Sequence, residues 1–427
     1  MELIKCPFCF KKFGRDFPAF KATKAYTLQD VEGMSDEEMR AAEPYAEKPD
    51  KEYDEFWNNF PGSKPNFPEE KHAVIYTLPG LGLVGTPRKD ADGFVNEVEY
   101  ADNKKRSDIR ICPNCHNPLP HEFGKYPVKY IAIVGITSSG KTVYLSTLLH
   151  KISRYLAKAN LTSVGMKEQV GSFLEEHPIR RGQELPRGNA VEHLTMPIPI
   201  TVQSKDTGQR YTVIFYDVAG ENCVRPSQMK KFGPFICNAD GIIMIVDPKQ
   251  FDELFEIDSS MDAASPELVV NAMYEAFVSA GGSSNVPLAV ALSKSDLLGG
   301  HVGGNSFIFR NTDYSEYENM GFAENDYDGV NYEIKKVLGT RADSQGAIFK
   351  DALEATFKNY GFFAFSALGC EPQKDRETGL YVLKQEPEPV RIEDPLIWIF
   401  YKLGIVNKAD RKVKEAGPGP KKGLFSR

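Results

Sequence analysis

The sequence predicts an α/β fold, a sheet flanked by helices, preceded by an interrupted zinc-ribbon module. Three observations predict it. A strand, a glycine loop and a helix start follow one another over residues 129–149. Three later apolar runs of strand length each end in a polar motif. Two Cys-Pro-x-Cys pairs lie ahead of all of them.

In chain order, the cysteine pairs come first: Cys6-Pro-Phe-Cys9 and Cys112-Pro-Asn-Cys115. Each such turn aims two thiolates at one point, and two turns complete a tetrahedral four-cysteine site for Zn²⁺. The alternative is that one pair is a thioredoxin-like redox motif, but neither opens a helix after a strand. The expected module therefore spans 1–125 and carries residues 10–111 as a long acidic insertion. His116, directly after Cys115, is a candidate substitute ligand, though four cysteines already suffice. Of the three remaining cysteines, Cys237 and Cys370 are expected in or near the core, and Cys223 lies beside a later motif. Within the insertion, Ser35 and Glu38 fit a capping box on an acidic, solvated helix, with a docking surface as the alternative. Gly80-Leu-Gly-Leu-Val-Gly85 fits G-x-G-x-x-G, but Thr86-Pro-Arg-Lys does not open a helix, so no dinucleotide loop is expected.

Next, Lys129–Val134 is an apolar strand, and Gly135-Ile-Thr-Ser-Ser-Gly-Lys-Thr142 fits the phosphate-loop pattern before the helical run from Val143. Gly135 and Gly140 let the backbone N–H groups turn inward, and the helix N-terminus adds positive potential. Gly135, Ser138, Ser139, Gly140, Lys141, Thr142 and Val143 are the candidate phosphate cradle. Lys141 reaches the outer phosphates and Thr142 offers its hydroxyl to Mg²⁺.

Tyr211–Tyr216 then runs as a strand into Asp217-Val-Ala-Gly220, giving Mg²⁺ a second anchor and a γ-phosphate a backbone N–H at Gly220. Val286–Leu292 ends in Ser293-Lys294-Ser-Asp296, and Phe362–Phe365 in Ser366-Ala367. All four motifs stand at the C-terminal ends of strands, where open α/β sheets bind ligands.

Together these motifs resemble the Ras-like, translation-factor-related class of P-loop GTPases, over about residues 126–405. Within that class, Phe363–Gly369 and Arg391–Trp398 resemble the bacterial "double-GTPase" type, found in multi-gene conflict or defence systems. The resemblance implies GTP/GDP with Mg²⁺. Asp296 would accept hydrogen bonds from guanine N1–H and N2–H₂, the Lys294 stem would cover the base, and the Ser366-Ala367 backbone would meet the guanine carbonyl. Ser293 replaces the commoner Asn or Thr. The Mg²⁺- and γ-phosphate-sensing threonine is expected at Thr195, at the head of a strand over Thr195–Val202, with Thr162 as runner-up. Glu221 stands where the family places a water-orienting Gln, which implies slow hydrolysis. Arg180, Arg181 and Arg187 are candidate arginine fingers in cis, with a solvated basic loop as the alternative for each. Lys141, Glu221 and Thr195 are thus the candidate catalytic residues. The implied function is a molecular switch read by a protein partner of unknown identity; the alternative is a nucleotide-binding scaffold with little hydrolysis.

Composition is that of an ordinary globular chain, 41% hydrophobic and 26% charged over 427 residues. No apolar run approaches the length of a membrane span, and the N-terminus lacks a signal layout. A formal charge of −7 argues against broad nucleic-acid binding. These features point to the cytoplasm. The Lys/Arg-rich segment 406–427, with its Gly-Pro repeats, is expected to be disordered.

Overall fold

The structure, a computed structural model, describes every residue except 1, 28, 31, 102–103, 137, 165–167, 187–192, 220, 253, 256–264, 280–284 and 413–427. A seven-stranded sheet organises the chain from residue 128 onward. Its strands are β1 (Val128–Gly135), β2 (Leu161–Ser163), β3 (Ile198–Ser204), β4 (Arg210–Ala219), β5 (Gly241–Val246), β6 (Leu288–Leu292) and β7 (Tyr360–Ala364). They lie in the order β2-β3-β4-β1-β5-β6-β7. Strands β4, β1, β5, β6 and β7 are parallel, and β2 and β3 add an antiparallel edge.

Both faces of the sheet are covered, which explains why the central strands are uniformly apolar rather than alternating. Successive side chains still point to opposite faces. Tyr130, Ala132 and Val134 of β1 join one core cluster, and Ile131 and Ile133 join the other. On the second face pack α1 (Lys141–His150), α2 (Ile152–Lys158), α3 (Glu168–Glu176) and, from the chain's end, Asp394–Lys402. On the first face pack Pro226–Cys237, Pro266–Ser279, Glu324–Leu338 and Gln345–Thr356.

The cysteine module docks on that first face. Phe10 stacks edge-on against Tyr216 and Phe235, with ring centroids 5.8 and 5.0 Å away. The Tyr216 hydroxyl donates to the Pro7 carbonyl at 2.9 Å, and the Tyr130 hydroxyl donates to that of Lys5. Cys6, Cys112 and Cys115 therefore belong to the same apolar cluster as the sheet.

Three points go beyond or against expectation. First, the insertion holds more than the acidic, solvated helix expected at Ser35. It forms a four-stranded sheet (Leu83–Val84, Val74–Tyr76, Ala19–Lys21, Arg110–Ile111) and a three-stranded one (Thr86–Lys89, Val95–Tyr100, Lys105–Ser107). The capping box of Ser35 and Glu38 does form, on the exposed helix Asp36–Ala42. The second helix, Lys51–Trp57, instead buries Tyr53 and Trp57, and the Trp57 indole donates to Asn117 Oδ1 at 2.8 Å. Phe60 just beyond it packs on Phe232, centroids 5.4 Å apart. Aromatic residues behind an acidic face were the signal for this burial. Second, the strand expected from Thr195 begins at Ile198. Third, residues 406–412 are not a loose tail: Phe322 and residues 407–409 exchange backbone hydrogen bonds, and Ala409 is buried. The remainder of that tail lies outside the described residues.

The G-x-G-x-x-G run is followed by a strand, not a helix. A Cβ on Gly85 would meet Val98 Cγ2 at 2.4 Å, so close packing is what that glycine serves.

Candidate functional site

A cavity of about 640 Å³ opens at the C-terminal ends of β1, β4, β6 and β7. Its wall includes Ser138, Ser139, Gly140, Lys141, Thr142 and Val143, then Asp217 and Ala219, then Ser293, Lys294 and Asp296, then Ser366 and Ala367. The structure thus brings four separated sequence motifs to one place.

The glycine loop takes its shape from two backbone positions. Gly140 adopts φ +91° and caps α1, and Ser138 has φ +64°. A Cβ on Gly135 would lie 2.6 Å from both Ile245 O and Ser139 Oγ, so only glycine fits. Lys141 Nζ donates to the Gly135 and Ile136 carbonyls at 2.5 and 3.2 Å, folding the ammonium over the loop. The Ser139 hydroxyl is buried and has no hydrogen-bond partner among the described residues. A buried unpaired donor beside a positive charge and a helix N-terminus fits an oxyanion ligand such as phosphate.

Thr142 Oγ1, in the first turn of α1, lies 3.4 Å from Asp217 Oδ2, near the C-terminal end of β4. Burial pushes the Asp217 carboxyl up, and the Lys141 charge and the Thr142 hydroxyl oppose it. A desolvated carboxylate paired with a hydroxyl is a donor set that suits a hard divalent cation.

In the third motif, Lys294 is held at φ +51°. Its ammonium pairs with the buried Asp247 carboxylate and donates to the Ser138 carbonyl at 3.3 Å, tying this motif to the phosphate loop. Ser293 bonds back to Val246 O through its N–H at 2.9 Å and its hydroxyl at 3.3 Å. The Ser366 hydroxyl accepts from Gly369 N–H at 2.9 Å, where φ is +68°, and closes the last loop.

Other candidates fall elsewhere. Gly135 supports the loop from beneath and is not in the cavity wall. Thr195 is partly buried just before β3 and is likewise not in the wall, whereas His193 is. Thr162 sits exposed on the edge strand β2, and Arg180 and Arg181 are exposed away from the wall. Gly220 and Arg187 lie outside the described residues, as do the side chains of Glu221 and Cys223. Cys237 is partly buried against the core, but Cys370 lines the cavity, contrary to its expected packing.

Sequence reasoning missed Asp247, Lys249 and an outer wall made by Leu185, Pro186, Leu380 and Tyr381. Asp247 had a signal: like Asp217, it is a carboxylate ending an apolar strand. The outer wall had none, because its two halves are far apart in the chain.

The four cysteines form a second site. Cys6 and Cys115 Sγ are 3.8 Å apart, as are those of Cys9 and Cys112, and all four lie within 4.8 Å of one another. A tetrahedron with Zn–S bonds of about 2.3 Å has edges of about 3.8 Å. Phe8 N–H donates to Cys6 Sγ at 3.3 Å, Asn114 N–H to Cys112 Sγ at 3.4 Å, and Asn117 Nδ2 to Cys115 Sγ at 3.4 Å. These donors fit thiolates holding a metal. His116 is not a fifth ligand. Its Nδ1 lies 2.7 Å from Asp50 Oδ1 and its Nε2 3.0 Å from the Tyr76 hydroxyl. Lys21, fully buried, completes this network at 2.6 Å from Asp50 Oδ2. Burial pushes the Asp50 carboxyl up, but the His116 and Lys21 contacts outweigh it and hold it well below the usual range.

Residues 129–327 match the family model described as Double-GTPase 2. Similar solved structures include a bacterial selenocysteine-specific elongation factor, EF-Sec, at 14% identity and TM-score 0.28, covering 66% of this chain and 29% of that one. Another is a mutation variant of SsGBP, at 11% identity and TM-score 0.23, covering 56% and 49%. This chain thus spans under a third and about half of those two chains. No curated protein matches.

Proposed function

We propose that this chain, which carries a P-loop GTPase domain of the double-GTPase type, is a Mg²⁺-dependent guanine-nucleotide switch with slow hydrolysis. One observation supports this reading above the others. Asp296, Lys294 and Ala367 share a single cavity with the Ser138–Val143 loop and Asp217. Asp296 is the guanine-reading group, since its carboxylate suits paired N–H donors that adenine lacks. Lys294 holds the base-reading loop against the phosphate loop through Asp247 and Ser138. Backbone N–H groups of the loop, with Lys141 and the Ser139 hydroxyl, bind phosphate oxygens. Thr142 and Asp217 would hold Mg²⁺, which supplies positive charge to the transferred phosphoryl group. Thr195, from the segment between α3 and β3, is the group that senses the γ-phosphate.

Hydrolysis is assigned to Lys141, Thr195 and Glu221. A carboxylate at Glu221 accepts hydrogen bonds but cannot donate one as an amide does, so slow turnover is its consequence. Cys6, Cys9, Cys112 and Cys115 would hold Zn²⁺ as a structural ion, closing the N-terminal module. Among the described residues no helix is long and apolar enough to cross a membrane. We place the protein in the cytoplasm, acting with a protein partner in a bacterial multi-gene conflict or defence setting. The second reading, a nucleotide-binding scaffold without turnover, rests on Glu221. Calorimetry with Mg²⁺ and either GTP or ATP, run beside phosphate release, tests both. Equal affinity for GTP and ATP would sink the guanine assignment. Tight GTP binding without phosphate release would select the scaffold.

A further inference from the structure

The outer wall of the cavity comes from two segments distant in sequence and pinned to each other. Gly182 N–H donates to Leu383 O at 2.8 Å, and Leu185 N–H donates to Tyr381 O at 2.8 Å. The second segment is a hairpin, Gln373–Lys374 paired with Tyr381–Val382. Its turn is built locally: the Asp375 carboxylate accepts from Glu377 N–H at 3.0 Å and Thr378 N–H at 2.9 Å, and Gly379 takes φ +71°. Leu383 is fully buried and anchors the hairpin's base. The tip is exposed, so the flap adds little to the core.

The flap presents Leu185, Pro186, Leu380 and Tyr381 to the cavity that also holds Asp296 and Lys141. Apolar side chains offer nothing to phosphate oxygens. They suit the faces of a base and a ribose. Tyr381 is 53% exposed in the free protein, so it has surface left to be covered by a ligand.

We propose that this pinned flap is an additional nucleotide-binding wall, contacting the ribose and base of a guanine nucleotide and setting how fast it leaves. The proposal rests on the guanine-nucleotide reading above. Release returns the apolar wall to water, and the two backbone hydrogen bonds hold that wall in place. Closing segments of this kind commonly set the rate of ligand release.

The test is the dissociation of tritiated GDP from the full chain, chased with excess unlabelled GDP and read by filter binding. Two variants attack the flap differently. Leu185→Pro removes one of the two N–H groups that pin the halves, and Leu380→Ser with Tyr381→Ser removes apolar wall while leaving both pins. Each is expected to speed GDP release about tenfold, equivalent to about 1.4 kcal/mol. The preference for GTP over ATP is expected to stay, because Asp296 is untouched. Release within twofold of the parent rate in the serine variant overturns the proposal. That variant also decides the matter if Leu185→Pro fails to fold. A parent protein that binds no GDP overturns the nucleotide reading itself. Parent binding with unchanged release in the variants overturns the flap alone.

Discussion

Asp296 and Lys141 both line the one cavity, and in the proposed function they divide the recognition of a nucleotide between base and phosphates. Asp296→Ala is expected to weaken GTP binding on the order of 100-fold, since two hydrogen bonds to a charged acceptor are lost. ATP binding should hardly change, and calorimetry with both nucleotides checks this. Lys141→Ala should remove binding of either nucleotide, because its ammonium is the charge folded over the loop. A third residue-scale prediction lies away from the cavity. Asp50 holds the buried Lys21 at 2.6 Å and also meets His116. Asp50→Asn leaves the ammonium buried without its counter-charge, a change that costs about 3–5 kcal/mol. Denaturant unfolding should show that loss, and an unchanged midpoint would show Lys21 to be better solvated than its burial implies.

Elements decide what single residues cannot. The Pro226–Cys237 helix follows the Asp217 motif, and the segment before β3 carries Leu194 and Thr195. Both touch the insertion: Leu194 N–H donates to Ser63 Oγ at 2.9 Å, and Phe232 and Phe235 pack on Phe60. The four-residue helix Glu221–Val224 lies between Asp217 and that longer helix. At this scale the prediction concerns turnover. Glu221→Gln should raise the single-turnover rate of GTP hydrolysis, because an amide can donate as well as accept. Glu221→Ala should leave GDP affinity nearly unchanged. Fast hydrolysis by the parent, lost in both variants, would show that the carboxylate itself positions the water.

At the scale of the molecule, the cysteine module and the sheet share one apolar core. About one zinc per chain is expected by metal analysis of protein prepared without chelator. Chelation should lower the unfolding temperature, since the unfolded chain has no preformed site. Because Phe10 and Phe60 rest on Tyr216, Phe232 and Phe235, loosening the module should reach the Asp217 side of the cavity. Phe60→Ala opens a buried cluster and should cost about 3–5 kcal/mol. A thermal transition for the variant that matches the parent would show that the module contributes no packing to the sheet.

The sequence by itself determined the α/β sheet, the order of its motifs and the pairing of the cysteine turns. Those features are local. A glycine loop needs positive φ at positions such as Ser138 and Gly140, an apolar run declares a strand covered on both faces, and Cys-Pro-x-Cys shapes one turn. Tertiary structure alone decided what joins across the chain. It paired Lys294 with Asp247, pinned Leu185 to Tyr381, and set Phe60 and Ser63 of the insertion against the elements flanking Asp217 and β3. It also moved the start of β3 past Thr195 and drew Cys370 to the cavity wall. Each of these joins residues distant in the chain through packing or pairing, and neither spacing nor periodicity encodes which distant surface a side chain will meet.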